Sequence, residues 1–313
     1  MHDRRSFLKL ATAGLATAVL PRVAVATQKP AFSISLAQWS FHKAYQSKGA
    51  DKKDPLKFAE LARKDFDGMI QGVEYVNQFY KVQKNDDAYL KDLKKVADDN
   101  SIKSVLIMCD GEGNLGDPDA AKRTKAVDNH NRWVEWAKYL GCHSIRVNAH
   151  SSGTPEEQMK LAADGLRKLC EFSDTHAINT IVENHGGNSS NGVWLSGVLK
   201  LVDHKRIGSL PDFGNTWIRR PDPKKSGDKG EEYDRYKMVD EIMPFAKGVS
   251  AKTHDFDTKG QCVETDYKKM MDIVCGKYKY NGFVGIEYEG SKLSEPEGVK
   301  ATLKLLQSLI FSY

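Results

Sequence analysis

The feature that most limits what this chain can fold into is an alternation. Eight times in succession a short apolar run is followed by a longer stretch with helical patterning. The runs cover 32–39, 72–77, 103–109, 143–149, 179–183, 207–212, 248–254 and 282–287. The helical stretches fall at about 54–65, 84–99, 118–140, 155–176, 194–202, 231–242, 265–275 and 295–310. Most of the runs are continuously apolar, as in parallel strands covered on both faces. Such strict strand–helix alternation favours a closed (β/α)8 barrel over an open sheet. No glycine-rich dinucleotide fingerprint and no G-x-x-x-x-G-K-[ST] loop follows any run, which weakens a doubly wound alternative. A Pro/Lys/Gly-rich insertion at 219–230 does not divide the chain. Residues 27–313 therefore read as one α/β domain.

Residues 1–26 stand apart from that pattern. Arg4 and Arg5 precede Phe7-Leu8-Lys9, a weakly apolar stretch runs from Leu10 to Leu20, and Ala24-Val25-Ala26 follows. A charged start, a short hydrophobic region and a small-x-small site describe a cleavable export signal. The paired arginines point to the twin-arginine route, and so to the periplasm. The apolar stretch is too short to cross a hydrocarbon core of roughly 30 Å. No membrane association is expected once it is cut. Arg4, Arg5, Lys9 and Arg22 against Asp3 carry three of the five net positive charges, so the mature chain is near +2. That bias is too weak to argue for nucleic acid. The five cysteines (Cys109, Cys142, Cys170, Cys262 and Cys275) are scattered and odd in number. This speaks against a disulfide framework, and the lack of C-x-x-C speaks against a cysteine zinc site.

The chemistry is concentrated where the later strands end. Glu183, Asp212, His254 and Glu287 each close an apolar run, in four successive units. A barrel brings all its strand ends to one rim, where this architecture places its active sites. Three carboxylates and an imidazole converging there make a mixed O/N site for one divalent ion: Mn²⁺, Mg²⁺, Co²⁺ or Zn²⁺, with Mn²⁺ favoured by the carboxylates. Lys252 lies two residues before His254, so strand alternation aims both inward, and its ammonium is placed either to polarise a carbonyl or to form a structural salt bridge.

The residues around these four resemble the xylose isomerase-like TIM-barrel superfamily, the sugar phosphate isomerases and epimerases. The resemblance is carried by IVENH (181–185), PDFGN (211–215), SAKTHDF (250–256) and GFVGIEYEG (282–290). It implies that Glu183, Asp212, His254 and Glu287 bind one metal ion, and that Glu183 and Glu287 are the acid/base pair on opposite faces of a sugar. The chain departs from the ketose 3-epimerases at three places. Asn215 stands where they carry a histidine, Ser189 where they carry a second glutamate, and Gly260 where they carry a sugar-binding arginine.

Trp39, His42, Glu74, Asn148, His185 and Asn215 fall near the same rim and are expected to bind substrate. Aromatic and hydrogen-bonding groups together suit a carbohydrate, with its apolar face and hydroxyl edge. The expected activity is an exported, metal-dependent sugar isomerase or epimerase. It would abstract a proton next to a carbonyl and pass through an enediolate. The alternative is a lyase that deprotonates C2 of a 3-keto-glycoside and expels the C1 substituent by β-elimination. An apurinic endonuclease shares the barrel but needs three metals and more histidines, one of them at Asn215. A homo-oligomer is compatible with this reading.

Overall fold

The computed structural model describes residues 29–49 and 52–313, so the export segment read at 1–26 lies outside the described residues. The strands are β1 (Ser33–Ala37), β2 (Gly72–Val76), β3 (Lys103–Met108), β4 (Ser144–Val147), β5 (Asn179–Glu183), β6 (Ile207–Leu210), β7 (Trp217–Arg219), β8 (Glu231–Glu232), β9 (Val249–Thr253) and β10 (Phe283–Tyr288). The helices are α1 (His42–Gln46), α2 (Phe58–Lys64), α3 (Asp87–Asp99), α4 (Ala120–Leu140), α5 (Pro155–Thr175), α6 (Gly192–Val202), α7 (Arg235–Ile242), α8 (Tyr267–Met271) and α9 (Glu295–Gln307).

Eight strands pair in parallel in the order β6-β5-β4-β3-β2-β1-β10-β9. The remaining gap, between β6 and β9, is closed by two parallel bridges, Ser209 to Ala246 and Asp212 to Ser250. Across it the Ser250 amide donates to the Pro211 carbonyl at 2.9 Å, and the Phe213 amide donates to the Ser250 carbonyl at 3.2 Å. The fold is thus a single (β/α)8 barrel.

The main hydrophobic core lies between the ring and its helices. A smaller cluster of Ala37, Val76, Leu106, Met108, Ile181 and Leu210 fills the inside of the ring, on the same strand faces as the polar side chains of the site. The helices that follow the strands start where local chemistry dictates. Thr154 and Glu157 form a reciprocal capping box with Pro155 at the start of α5, and Asn191 caps α6. On either side of the 219–230 insertion the chain makes a feature the sequence pattern did not suggest. β7 and β8 pair antiparallel as a short ribbon outside the ring.

Candidate active site

The site is assembled by strand register. Glu183 is the last residue of β5, and Glu287 on β10 lies beside Lys252 on β9 as Cα partners. Asp212 lies two residues beyond the end of β6. Pro211 has no amide hydrogen to continue the ladder, and the bridge to Ser250 holds Asp212 in place. Asn184 secures the same turn. Its side chain accepts the Asp212 amide at 2.8 Å and donates to the carbonyls of Asp212 and Asn215, both at 3.0 Å.

The result is three buried carboxylates with one oxygen of each within 4.8 Å of the others: Glu183, Asp212 and Glu287. Asp212 Oδ1 accepts the amides of Gly214 and Asn215 at 2.9 and 2.8 Å, and Oδ2 lies 2.7 Å from Ser250 Oγ. Glu183 Oε1 accepts the Asn215 amide group at 2.9 Å. Glu287 Oε2 lies 3.2 Å from Ser250 Oγ.

Two buried cations stand among them. Lys252 Nζ is 3.1 Å from Glu287, 3.5 Å from Glu289 and 3.8 Å from Asp212, and it donates to Asn215 Oδ1 at 3.3 Å. Arg146, on β4, places Nε 2.8 Å from Glu183 Oε2 and Nη1 2.7 Å from Asp110 Oδ1. The Arg146–Glu183 contact is close but poorly aligned. Both atoms therefore remain without a hydrogen-bond partner although they form an ion pair.

Burial raises the carboxyls of Glu183 and Asp212 to about 7, against the pull of Arg146 on the first and Lys252 on the second. Burial lowers Lys252, but Asp212, Glu287, Glu289 and Glu183 outweigh it and hold the ammonium well above the ordinary lysine value. For Asp110, too, burial is overcome, here by Arg146, and its carboxyl stays below the usual range. Burial lowers His185, and the positive charges of Arg146 and Lys252 lower it further.

Above this group opens a cavity of about 460 Å³, walled by Trp39, Asp110, Arg146, His185, Lys252 and Glu287 among others. Asn215, Glu289, Trp217 and Arg220 also face it, the last two from the β7–β8 insertion. Glu183 and Asp212 are not in its wall. They lie one side chain deeper, behind Arg146, Asn215 and Lys252.

The residues expected at the site are distributed unevenly. Glu183, Asp212, Glu287, Lys252 and Asn215 come together, and Trp39 and His185 form part of the cavity wall. His254 does not join the three carboxylates. β9 ends at Thr253, so the alternation that would aim His254 inward with Lys252 stops one residue short. His254 instead faces an adjoining cavity beside Asp255 and Glu264, with Nε2 3.9 Å from Glu289. Ser250 takes the position against Asp212 and Glu287.

His42 lies behind the wall, stacked on Trp39 at 5.0 Å. Asn148 borders a smaller neighbouring cavity and donates to Asp110 at 2.7 Å. Glu74 sits deep in the barrel rather than at its rim. It is 1% exposed, accepts from Ser35 Oγ at 2.6 Å, and fills the space left by Gly285, where any Cβ would meet its carboxylate.

Sequence reasoning missed Arg146 and Asp110. The signal for Arg146 was present: in HSIRVNA it shares a face with Asn148, between the apolar Ile145 and Val147.

Three buried carboxylates this close could hold a divalent ion, and an all-oxygen set suits Mg²⁺ or Mn²⁺. The surroundings do not fit one. An ion shared by the three would lie against the Lys252 ammonium, and the neutral group beside Asp212 and Glu287 is the Ser250 hydroxyl, with the His254 imidazole outside the set.

A closed parallel barrel with acidic and basic groups gathered at the strand ends belongs to the class that builds enzyme sites at this mouth. The xylose isomerase-like TIM barrel family model matches residues 58–309, and the chain belongs to that family. Its fold is shared with a xylose isomerase-like barrel protein of Mycobacterium smegmatis in complex with magnesium, at 17% identity and TM-score 0.63, covering 90% of this chain and 99% of that one. A sugar phosphate isomerase/epimerase of Parabacteroides distasonis aligns at 13% identity and TM-score 0.66, over 93% and 98% of the two chains. A 3-keto-D-glucoside 4-epimerase of E. coli aligns at 12% identity and TM-score 0.64, over 90% and 100%. No curated protein matches the chain in sequence.

Proposed function

We propose that this protein is an exported carbohydrate isomerase or epimerase that removes a proton next to a sugar carbonyl. The observation that carries this is the pairing of a carboxylate and a fixed cation in one cavity wall. Glu287 lies 3.1 Å from the Lys252 ammonium, and both face the 460 Å³ space. Glu287 takes the proton. Lys252 and Arg146 stabilise the negative charge that develops on the enediolate oxygens, as donors already held in place by their carboxylate partners. Glu183, its carboxyl raised to about 7 by burial, lies one side chain behind the wall and holds Arg146 in place, so Glu287 itself returns the proton. Trp39 and Trp217 offer flat apolar faces to the ring of a sugar, and His185 and Asn215 offer hydrogen bonds to its hydroxyls. Export rests on the arginine pair and the apolar stretch of residues 1–26.

The lyase reading uses the same first step. It is favoured by the fold shared with a 3-keto-glucoside epimerase, whose substrate carries an acidified C–H beside a ketone. Incubation with ketoses and with a 3-keto-glycoside in D₂O separates the two. Deuterium incorporation with recovery of an epimer or isomer supports the first, and release of the aglycone supports the second. Glu287→Gln should slow exchange by ~10²–10⁴-fold, the usual share of general-base catalysis. Exchange at the wild-type rate would remove Glu287 from the role of base.

A further inference from the structure

We propose that Lys252 is the resident cation of this site: its ammonium takes the place of a divalent ion among Glu183, Asp212 and Glu287, and the protein works without a bound metal. Five observations converge on this. Nζ lies within 4 Å of both Glu287 and Asp212, at 3.1 and 3.8 Å, so an ion shared by these carboxylates would have to displace it. Most of the carboxylate oxygens are already engaged; Glu183 Oε2 accepts no hydrogen bond but is ion-paired with Arg146 at 2.8 Å. Glu183 has Asn215 and Arg146, Asp212 has two backbone amides and Ser250, and Glu287 has Lys252 and Ser250.

The side chain that register places against Asp212 is Ser250, whose neutral hydroxyl is a poor substitute for an imidazole donor. Lys252 also has nowhere else to go. It is 3% exposed, and its backbone carbonyl accepts the Tyr267 hydroxyl at 2.9 Å. Its methylenes run over Gly214 so closely that a Cβ there would lie 2.8 Å from Lys252 Cδ. The cavity wall carries the same message. Lys252 and Arg146 face the space beside Glu287, Glu289 and Asp110, while Glu183 and Asp212 lie behind them, so a substrate meets an ammonium and a guanidinium at the wall.

The inference borrows from the proposed function only the need for a cation near the substrate oxygen, and its test does not use turnover. The mature chain is dialysed against a chelator, then against buffer containing Mn²⁺, Mg²⁺ or Zn²⁺, and its metal content is measured by elemental analysis and by titration calorimetry. The wild type should retain less than about one tenth of an equivalent, with a melting midpoint unmoved by Mn²⁺. Lys252→Met removes the ammonium and keeps its stem. It should bind about one equivalent of Mn²⁺, and saturating ion should raise its midpoint by roughly 5 °C.

Near-stoichiometric metal in the wild type, lost in Asp212→Asn, would overturn the proposal. Equal Mn²⁺ binding by the wild type and Lys252→Met would overturn it too, because Lys252 would then not be holding the ion's place. If Lys252→Met does not fold, the wild-type titration decides alone: a bound equivalent refutes the idea, and none supports it. Failure of the sugar reading would appear as absent turnover with these outcomes unchanged.

Discussion

Glu74 offers a prediction whose sign and size follow from its setting. The carboxyl is enclosed inside the barrel with one hydroxyl partner, and its Oε2 has none. Burial raises it from 4.5 to about 8, with Glu287 and Glu183 adding to the shift and Arg146 and Ser35 opposing it. The folded protein therefore holds a proton that the unfolded chain releases near pH 4.5. Between these values the folded state binds the extra proton, so stability is lost as pH rises. The slope is about 1.4 kcal/mol per pH unit, so roughly 3–4 kcal/mol disappears between pH 5 and pH 8 from this group alone. Glu74→Gln keeps the shape and an acceptor for Ser35 but cannot ionise. Urea unfolding of both proteins at pH 5, 6, 7 and 8 should give nearly equal stabilities at pH 5 and a widening advantage for the variant above it. Taking the difference between the two proteins removes the part of the Glu183 and Asp212 titrations that does not depend on Glu74. Parallel stability profiles across this range would show that Glu74 is already ionised in the folded state and would refute the reasoning.

Two further substitutions test the charge arrangement. Arg146→Met leaves Glu183 and Asp110 without their buried cation and should cost about 3–5 kcal/mol at pH 7 by urea unfolding. The loss should shrink as the pH falls and Glu183 takes up a proton. His254→Ala, at a partly exposed position outside the carboxylate group, should change stability by no more than about 0.5 kcal/mol by the same assay.

The repeating strand–helix pattern made the barrel legible, because each unit carries its own apolar run and caps. Glu183 and Glu287 were legible for the same reason: they lie within strands whose register places them at the mouth. The ends of the sixth and seventh strands were not. The ladder stops at Leu210 and Thr253, shortened by Pro211 at one and by the departing loop at the other, and the residues beyond are placed by long-range contacts. That is how Asp212 came inward while His254 did not. The depth of Glu74 was hidden as well. It depends on Gly285, more than two hundred residues away, leaving a space to fill. Arg220 enters the cavity from an insertion whose composition reads only as a loop, and Trp217 from the short strand that leads into it.

The gap between β6 and β9 is bridged through Asp212 and Ser250, residues that also belong to the buried carboxylate group. The hoop is therefore clasped by its own working parts. Loosening the clasp spreads the staves at the point where the charges meet, so changes that ease one will unsettle the other.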